Sequence, residues 1–208
     1  MKGKFITIEG PDGAGKSTQV KKLSEHLKTI GYKVLTAREP GGTLLGERLR
    51  EVLLSTEGES PVPEAEALIY AASRAQLVKK VIEPALQEGF IVICDRFVDS
   101  SLAYQGWARG LGITEIANIN SWFLKDTWPD LTIILDIDPQ QAFLRMQFKK
   151  DRLESESLEF HKKVREGFLK VQDMYPKRVK IVDASAKPEE VFENLLFEIE
   201  KSGIIKTN

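Results

Sequence analysis

The chain has 208 residues, with 30 Lys and Arg against 31 Asp and Glu and a formal net charge of −1. That length suits an α/β domain with a sizeable core. Its neutrality argues against a protein built to coat nucleic acid or an anionic membrane. The single cysteine, Cys94, excludes an intrachain disulfide framework and an all-cysteine metal site. No apolar run reaches the roughly 18 residues of a membrane span. No signal-peptide region precedes the first strand-like run, FITIEG, which predicts a cytoplasmic protein.

Residues 5–9 are β-rich and apolar, and 10–17 read GPDGAGKS, which fits G-x-x-x-x-G-K-[ST]. Glycines let such a loop curl its N–H groups toward phosphate oxygens. Lys16 is expected in the solvated loop mouth, reaching the β- and γ-phosphates, with the Ser17 hydroxyl on Mg²⁺. Residues 17–30 carry Val20, Leu23, Leu27 and Ile30 at helical steps, so a helix N-terminus follows the loop. A second strand is predicted over 33–37, a Pro-bearing loop over 55–63, and a third strand, FIVIC, over 90–94.

That third strand runs into Asp95 and Arg96. Ligands of open α/β sheets lie beyond the carboxyl ends of the strands. Asp95 should therefore face the loop and hold Mg²⁺ directly or through water, and Arg96 should grip a phosphate. Further strands are predicted over 131–135 and 179–182, with a strongly charged stretch over 146–157 and an amphipathic helix over 188–201. The strands FIVIC and LTIIL are apolar throughout, the mark of strands covered on both faces. His26 and His161 sit on helical segments as packing or surface residues. Neither the guanine-reading N-K-x-D nor the transporter signature L-S-G-G-Q is present.

Several segments then act together. GPDGAGKST is followed by Arg38-Glu39-Pro40-Gly41-Gly42-Thr43, by Tyr70-Ala71-Ala72-Ser73-Arg74, and by Asp95-Arg96-Phe97 with Ser100-Ser101-Leu102-Ala103-Tyr104-Gln105-Gly106. This series resembles the thymidylate kinases over residues 4 to 200. The resemblance implies an α/β fold of the P-loop NTPase type. It implies a parallel five-stranded sheet with helices on both faces, in one nucleoside monophosphate kinase domain spanning 1–208, with a short lid over about 145–156. It implies transfer from ATP with Mg²⁺ to dTMP, giving dTDP for dTTP biosynthesis, in a cytoplasmic homodimer.

Residue by residue, the resemblance assigns the ATP site to Gly10, Pro11, Asp12, Gly13, Ala14, Gly15, Lys16, Ser17 and Thr18, with Arg145 stacking on adenine beside the loop Asp183-Ala184-Ser185. Asp12 would also hold the sugar 3′-hydroxyl, and Arg38 and Arg96 the acceptor phosphate. Tyr70 would stack on thymine and Arg74, one turn on, would donate to a base carbonyl. Tyr104 would fill the space of a ribose 2′-hydroxyl, and Ser101 and Gln105 would meet the base edge. Gly13 places the chain with the lid-type members, whose catalytic cation comes from the lid. Here that cation is Arg152, Lys149 or Lys150, acting with Lys16, Arg96 and Asp95 in catalysis.

Overall fold

The computed structural model describes residues 3–145 and 151–205. The elements begin with β1 (Lys4–Glu9), α1 (Lys16–Thr29), β2 (Val34–Arg38), α2 (Leu44–Leu54), α3 (Pro63–Leu77) and α4 (Glu83–Gln87). There follow β3 (Ile91–Asp95), α5 (Val98–Ser101), α6 (Ile113–Leu124), β4 (Leu131–Asp136), α7 (Pro139–Arg145), α8 (Leu158–Met174), β5 (Val179–Asp183) and α9 (Pro188–Lys201). Two wider π-helical segments, Val78–Ile82 and Leu102–Ala108, prolong α3 and α5.

The strands form one parallel sheet in the order β2-β3-β1-β4-β5. Each predicted strand is present, and β2 to β5 each end one residue later than expected, on Arg38, Asp95, Asp136 and Asp183. Ladder bonds are made by the backbone, so a charged last residue stays in the strand while its side chain leaves the sheet. The register sets Asp95 opposite Arg38 and Ile8 opposite Asp95. Three strand ends therefore meet beside the loop that follows β1. The chain turns to opposite sides of β1 for β3 and β4, which opens a crevice above β1.

Alternate strand residues feed two cores. Ile6, Ile8, Ile93 and Leu135 pack with Leu23 and Leu27 of α1 and with Leu195 and Ile199 of α9. On the other face Phe5, Val92, Cys94 and Ile134 meet Leu77, Phe97, Leu102, Val164 and Phe168. Coverage on both faces explains the unbroken apolar runs. Burying each such side chain contributes about 1.5–3 kcal/mol. His26 and His161 make edge-on ring contacts with Phe192 and Phe143, in keeping with packing roles.

Pro63, expected in a loop, instead opens α3, where its missing N–H costs no helix bond. Of the charged stretch, 146–150 lie outside the described residues. The described remainder forms a turn that ends on Ser157, whose side chain accepts from the Phe160 amide and caps α8.

Phe97 joins this packing to the site. It is fully buried, stands edge-on to Phe5 at 4.8 Å, and lies under the Arg74 guanidinium at 5.3 Å. Phe97→Ala should cost about 3–5 kcal/mol of stability. Urea unfolding of both proteins checks this, and a loss below about 1 kcal/mol would show that Phe97 is not a core anchor.

Candidate active site

The loop after β1 curls as its glycines predict. Gly13 has φ of 81°, and a Cβ there would lie 2.5 Å from the Ala142 carbonyl oxygen of α7. An arginine at this position would collide with the α7 backbone, which gives the lid-type reading of Gly13 a steric basis. Gly15 takes the left-handed region at the start of α1, and no side chain caps that helix. The first amides of α1 are thus open to an anion.

Lys16 corrects an expectation. It is buried, not solvated, and its ammonium donates to the carbonyl oxygens of Gly10 at 3.1 Å and Pro11 at 2.7 Å. Burial pulls its pKa down to about 8, helped by the Arg96 charge and opposed by Asp12 and Asp95. The ammonium is thus held by carbonyls of its own loop. Ser17 donates to the Asp95 carboxylate at 2.6 Å, so the two proposed Mg²⁺ ligands are together. One hydroxyl and one carboxylate beside a phosphate loop fit Mg²⁺, which takes few protein oxygens and completes its shell with phosphate and water.

Arg96 is the hub of the crevice. Its φ is 66°, an uncommon left-handed value for a residue with a side chain. That backbone sends the guanidinium across the sheet ends to the Gly10 carbonyl at 3.1 Å, to Ser100 Oγ at 3.1 Å and to the Asp12 carboxylate. Tyr104 donates its hydroxyl to Asp12 at 2.8 Å and lies under Arg96 at 5.2 Å. Burial works against ionising Asp12, but the charges of Arg96 and Lys16 outweigh it and hold the carboxyl well below its usual range. Below this group Glu9 accepts from the Phe97 amide at 2.7 Å and Ser100 Oγ at 2.5 Å. Burial, with Asp99 nearby, pushes the Glu9 carboxyl up.

A cavity of about 400 Å³ runs from this loop toward α3. Its lining includes Asp12, Gly13, Gly15, Lys16, Ser17, Thr18, Arg38, Tyr70, Arg74, Asp95, Arg96, Ser101, Tyr104 and Gln105, all anticipated from sequence. Gly10, Pro11 and Ala14 are buried in the loop behind it. Arg74 is 1% exposed and makes four hydrogen bonds: it donates to Glu39 at 2.8 Å, Asn120 at 2.7 Å, the Phe97 carbonyl at 3.1 Å and Ser101 at 3.0 Å. Burial pushes the Glu39 carboxyl up to about 7, with Arg74 pulling the other way. Arg38 pairs with Glu47 at 3.1 Å.

Arg145 lies outside that lining and donates to the carbonyls of Ala184 at 2.8 Å and Ser185 at 2.9 Å, so the two segments expected at adenine do meet. Arg152 departs from expectation. It does not line the cavity. Its guanidinium donates to the Leu53 carbonyl at 2.8 Å and to Glu66 at 2.6 Å. Glu66 is fully buried and needs positive partners, so Arg152 is committed to it rather than to a transferring group. Lys149 and Lys150 lie outside the described residues.

The sequence reading gave no binding role to the rest of the lining, which includes Arg50, Glu39, Ser100 and Leu153. Arg50 belongs to no motif. Glu39 stood inside the REPGGT segment without being assigned a role.

The Asp12–Arg96 pair sets a pH dependence. A depressed carboxyl contributes stability above its ordinary value of 3.8, and that contribution is lost as the pH falls below it. Wild type should exceed Asp12→Asn by about 1.5–3 kcal/mol at pH 7, the range of hydrogen bonds to charged groups. Denaturant unfolding at pH 7 and in the range 3–4 should show that gap closing in acid; a constant gap would contradict the pairing.

A profile of the thymidylate kinase family matches residues 8–195. A thymidylate kinase of Caldanaerobacter subterraneus subsp. tengcongensis is 54% identical over 184 residues, 88% of each chain. One from Bacillus velezensis is 48% identical over 200 residues, 94% of each chain. The crystal structure of thymidylate kinase from Ehrlichia chaffeensis superposes with a TM-score of 0.80 at 32% identity, covering 96% of this chain and 100% of that one.

Proposed function

Since this chain belongs to the thymidylate kinase family, we propose that it transfers the γ-phosphoryl group of ATP to dTMP, giving dTDP and ADP on the path to dTTP. One observation carries this reading: a single cavity joins the phosphate loop to a wall built from Tyr70, Arg74, Ser101 and Gln105. The first end suits a triphosphate and the second a flat, hydrogen-bonding base. Arg38, Arg50 and Arg96 line the stretch between them, where the acceptor phosphate would lie.

An acceptor phosphate oxygen attacks the γ-phosphorus as the bond to the ADP oxygen breaks. No general base is required, because the acceptor is already an anion. Ser17 and Asp95 would hold Mg²⁺, which would supply positive charge against the donor phosphates. Lys16 exchanges its loop carbonyls for phosphate oxygens. Arg96 fastens the acceptor against its own anion's repulsion, and its fixed geometry costs no reorganisation. Arg145 with the loop after β5 would border adenine. Lys149 and Lys150 remain the lid cations of this reading. Tyr104, tied through its hydroxyl to Asp12, would leave no room for a 2′-hydroxyl.

We infer a homodimer as well. Helices α2, α3 and α6 lie side by side and expose Val52, Leu68 and Trp122, the last 81% exposed. Large apolar side chains left exposed on adjacent helices suit an interaction surface. No helix among the described residues is long and apolar enough to cross a membrane, and the cytoplasmic location belongs to the same reading. Trp122→Glu should convert a dimer to a monomer in analytical ultracentrifugation; a wild-type monomer would refute the assembly.

The activity itself is tested by ADP release with a panel of nucleoside monophosphates. The best acceptor should be dTMP, with dUMP weaker by the worth of one methyl group, about 1–3 kcal/mol, and UMP poor. Faster turnover of CMP or AMP would sink the proposal.

A further inference from the structure

Glu66 has no part in the reaction described above, yet it is a fully buried carboxylate beside the cavity. It sits in the first turn of α3, one turn before Tyr70. Four donor groups converge on it. Gln105 Nε2 lies 2.8 Å from its Oε1, Arg109 donates at 3.3 and 3.4 Å, and Arg152 donates at 2.6 Å. Arg109 is further held by Glu156 at 2.6 Å and by the Phe160 ring at 4.4 Å. The Arg152 amide bonds the Leu54 carbonyl at 3.2 Å. The carboxylate therefore ties α2, α3, the segment Leu102–Ala108 and the turn before α8 into one wall.

A carboxylate flanked by two guanidinium groups accepts and has no hydrogen to give. The Gln105 amide must therefore turn its nitrogen to Glu66. Its carbonyl oxygen is left for the cavity, which Gln105 lines. Thymine offers an N3–H donor beside a C4 carbonyl, so one fixed amide can accept from the first and give its second N–H to the other. Cytosine presents the opposite pattern, an N3 acceptor beside an amino donor. To meet cytosine the amide would have to flip, and its carbonyl oxygen would then face the buried carboxylate. Leaving polar groups mismatched in such a site costs more than losing an apolar contact.

We propose that Glu66 is a positioning residue for acceptor specificity: it locks the Gln105 amide in the orientation that accepts an imide N–H and penalises an amino-pyrimidine. This rests on the dTMP kinase reading and goes beyond it, because the discriminating element is a carboxylate placed behind the base contact. The repulsive orientation is as much a part of the device as the attractive one.

The test compares kcat/KM for dTMP and dCMP in the wild type, Glu66→Gln, Gln105→Ala and the double variant, with thermal unfolding of each. A glutamine at 66 can donate as well as accept, so Gln105 is freed to turn. The preference for dTMP should fall by about tenfold, the worth of one ordinary hydrogen bond. The change should appear in KM for the nucleotides, with KM for ATP unchanged. In the Gln105→Ala background, Glu66→Gln should change the preference no further. Equal losses for both acceptors, or additive changes in the double variant, would reduce Glu66 to a structural support and overturn the proposal. Should Glu66→Gln not fold, Gln105→Ala keeps both arginines on Glu66, and an unchanged preference there also overturns it. A wild-type protein that ignores dTMP overturns the functional reading together with this one, whereas parallel losses overturn this one alone.

Discussion

Arg96 leaves β3 with a left-handed backbone, and that one turn aims its guanidinium back across the sheet ends at the phosphate loop. Everything at the crevice is arranged around this reach. Asp12 is held ionised against burial, Tyr104 is fixed by the same carboxylate, and Ser100 links the guanidinium to Glu9 beneath. The Arg96 amide itself bonds the Ile8 carbonyl at 3.0 Å, so the side chain is aimed by the sheet and not by a mobile loop. A guanidinium held in this way is already ordered before any ligand arrives.

Similar buried pairs recur: Glu39 with Arg74, Glu66 with Arg109 and Arg152, and Asp99 with Arg178. Stability is a poor explanation for them. Taking two charges out of water costs several kcal/mol per ion, which their attraction only offsets when geometry is good. The exposed pair Lys22–Glu189 contributes at most about 1 kcal/mol. What the buried pairs supply is position. Each carboxylate lies behind an arginine or amide that borders the cavity, or joins two elements that frame it. Their donors can be satisfied in few arrangements, so the wall has few alternatives.

This division explains what was legible in the sequence. The loop GPDGAGKS, the pair Asp95–Arg96 and the helical spacing of Tyr70 and Arg74 are local, and local spacing fixes local geometry. The five strands were legible for the same reason, apart from the charged last residues of β2 to β5. Lys16 read as solvated because sequence cannot show that its own loop's carbonyls would fold over it. Arg152 read as a lid cation because its partner Glu66 lies 86 residues away. Burial of Glu66 reversed the assignment, and a charge three residues into a helix gives no local sign of burial. Arg50 escaped notice on the same ground: its tie to the Pro40 carbonyl is a tertiary fact.

The two ends of the cavity therefore read differently for a chemical reason. Phosphate is bound by backbone amides and a helix terminus, which any chain with the right glycines can form, so a short motif suffices. A base is recognised by side chains whose donors and acceptors must each point one way, and a side chain is aimed only by what stands behind it. Behind Arg74 stands Glu39, and behind Gln105 stands Glu66. Both are buried carboxylates and both come from elements other than those they orient. The contacting residues can be found by their spacing. The residues that give those side chains a direction lie in the tertiary structure, where no local spacing marks them.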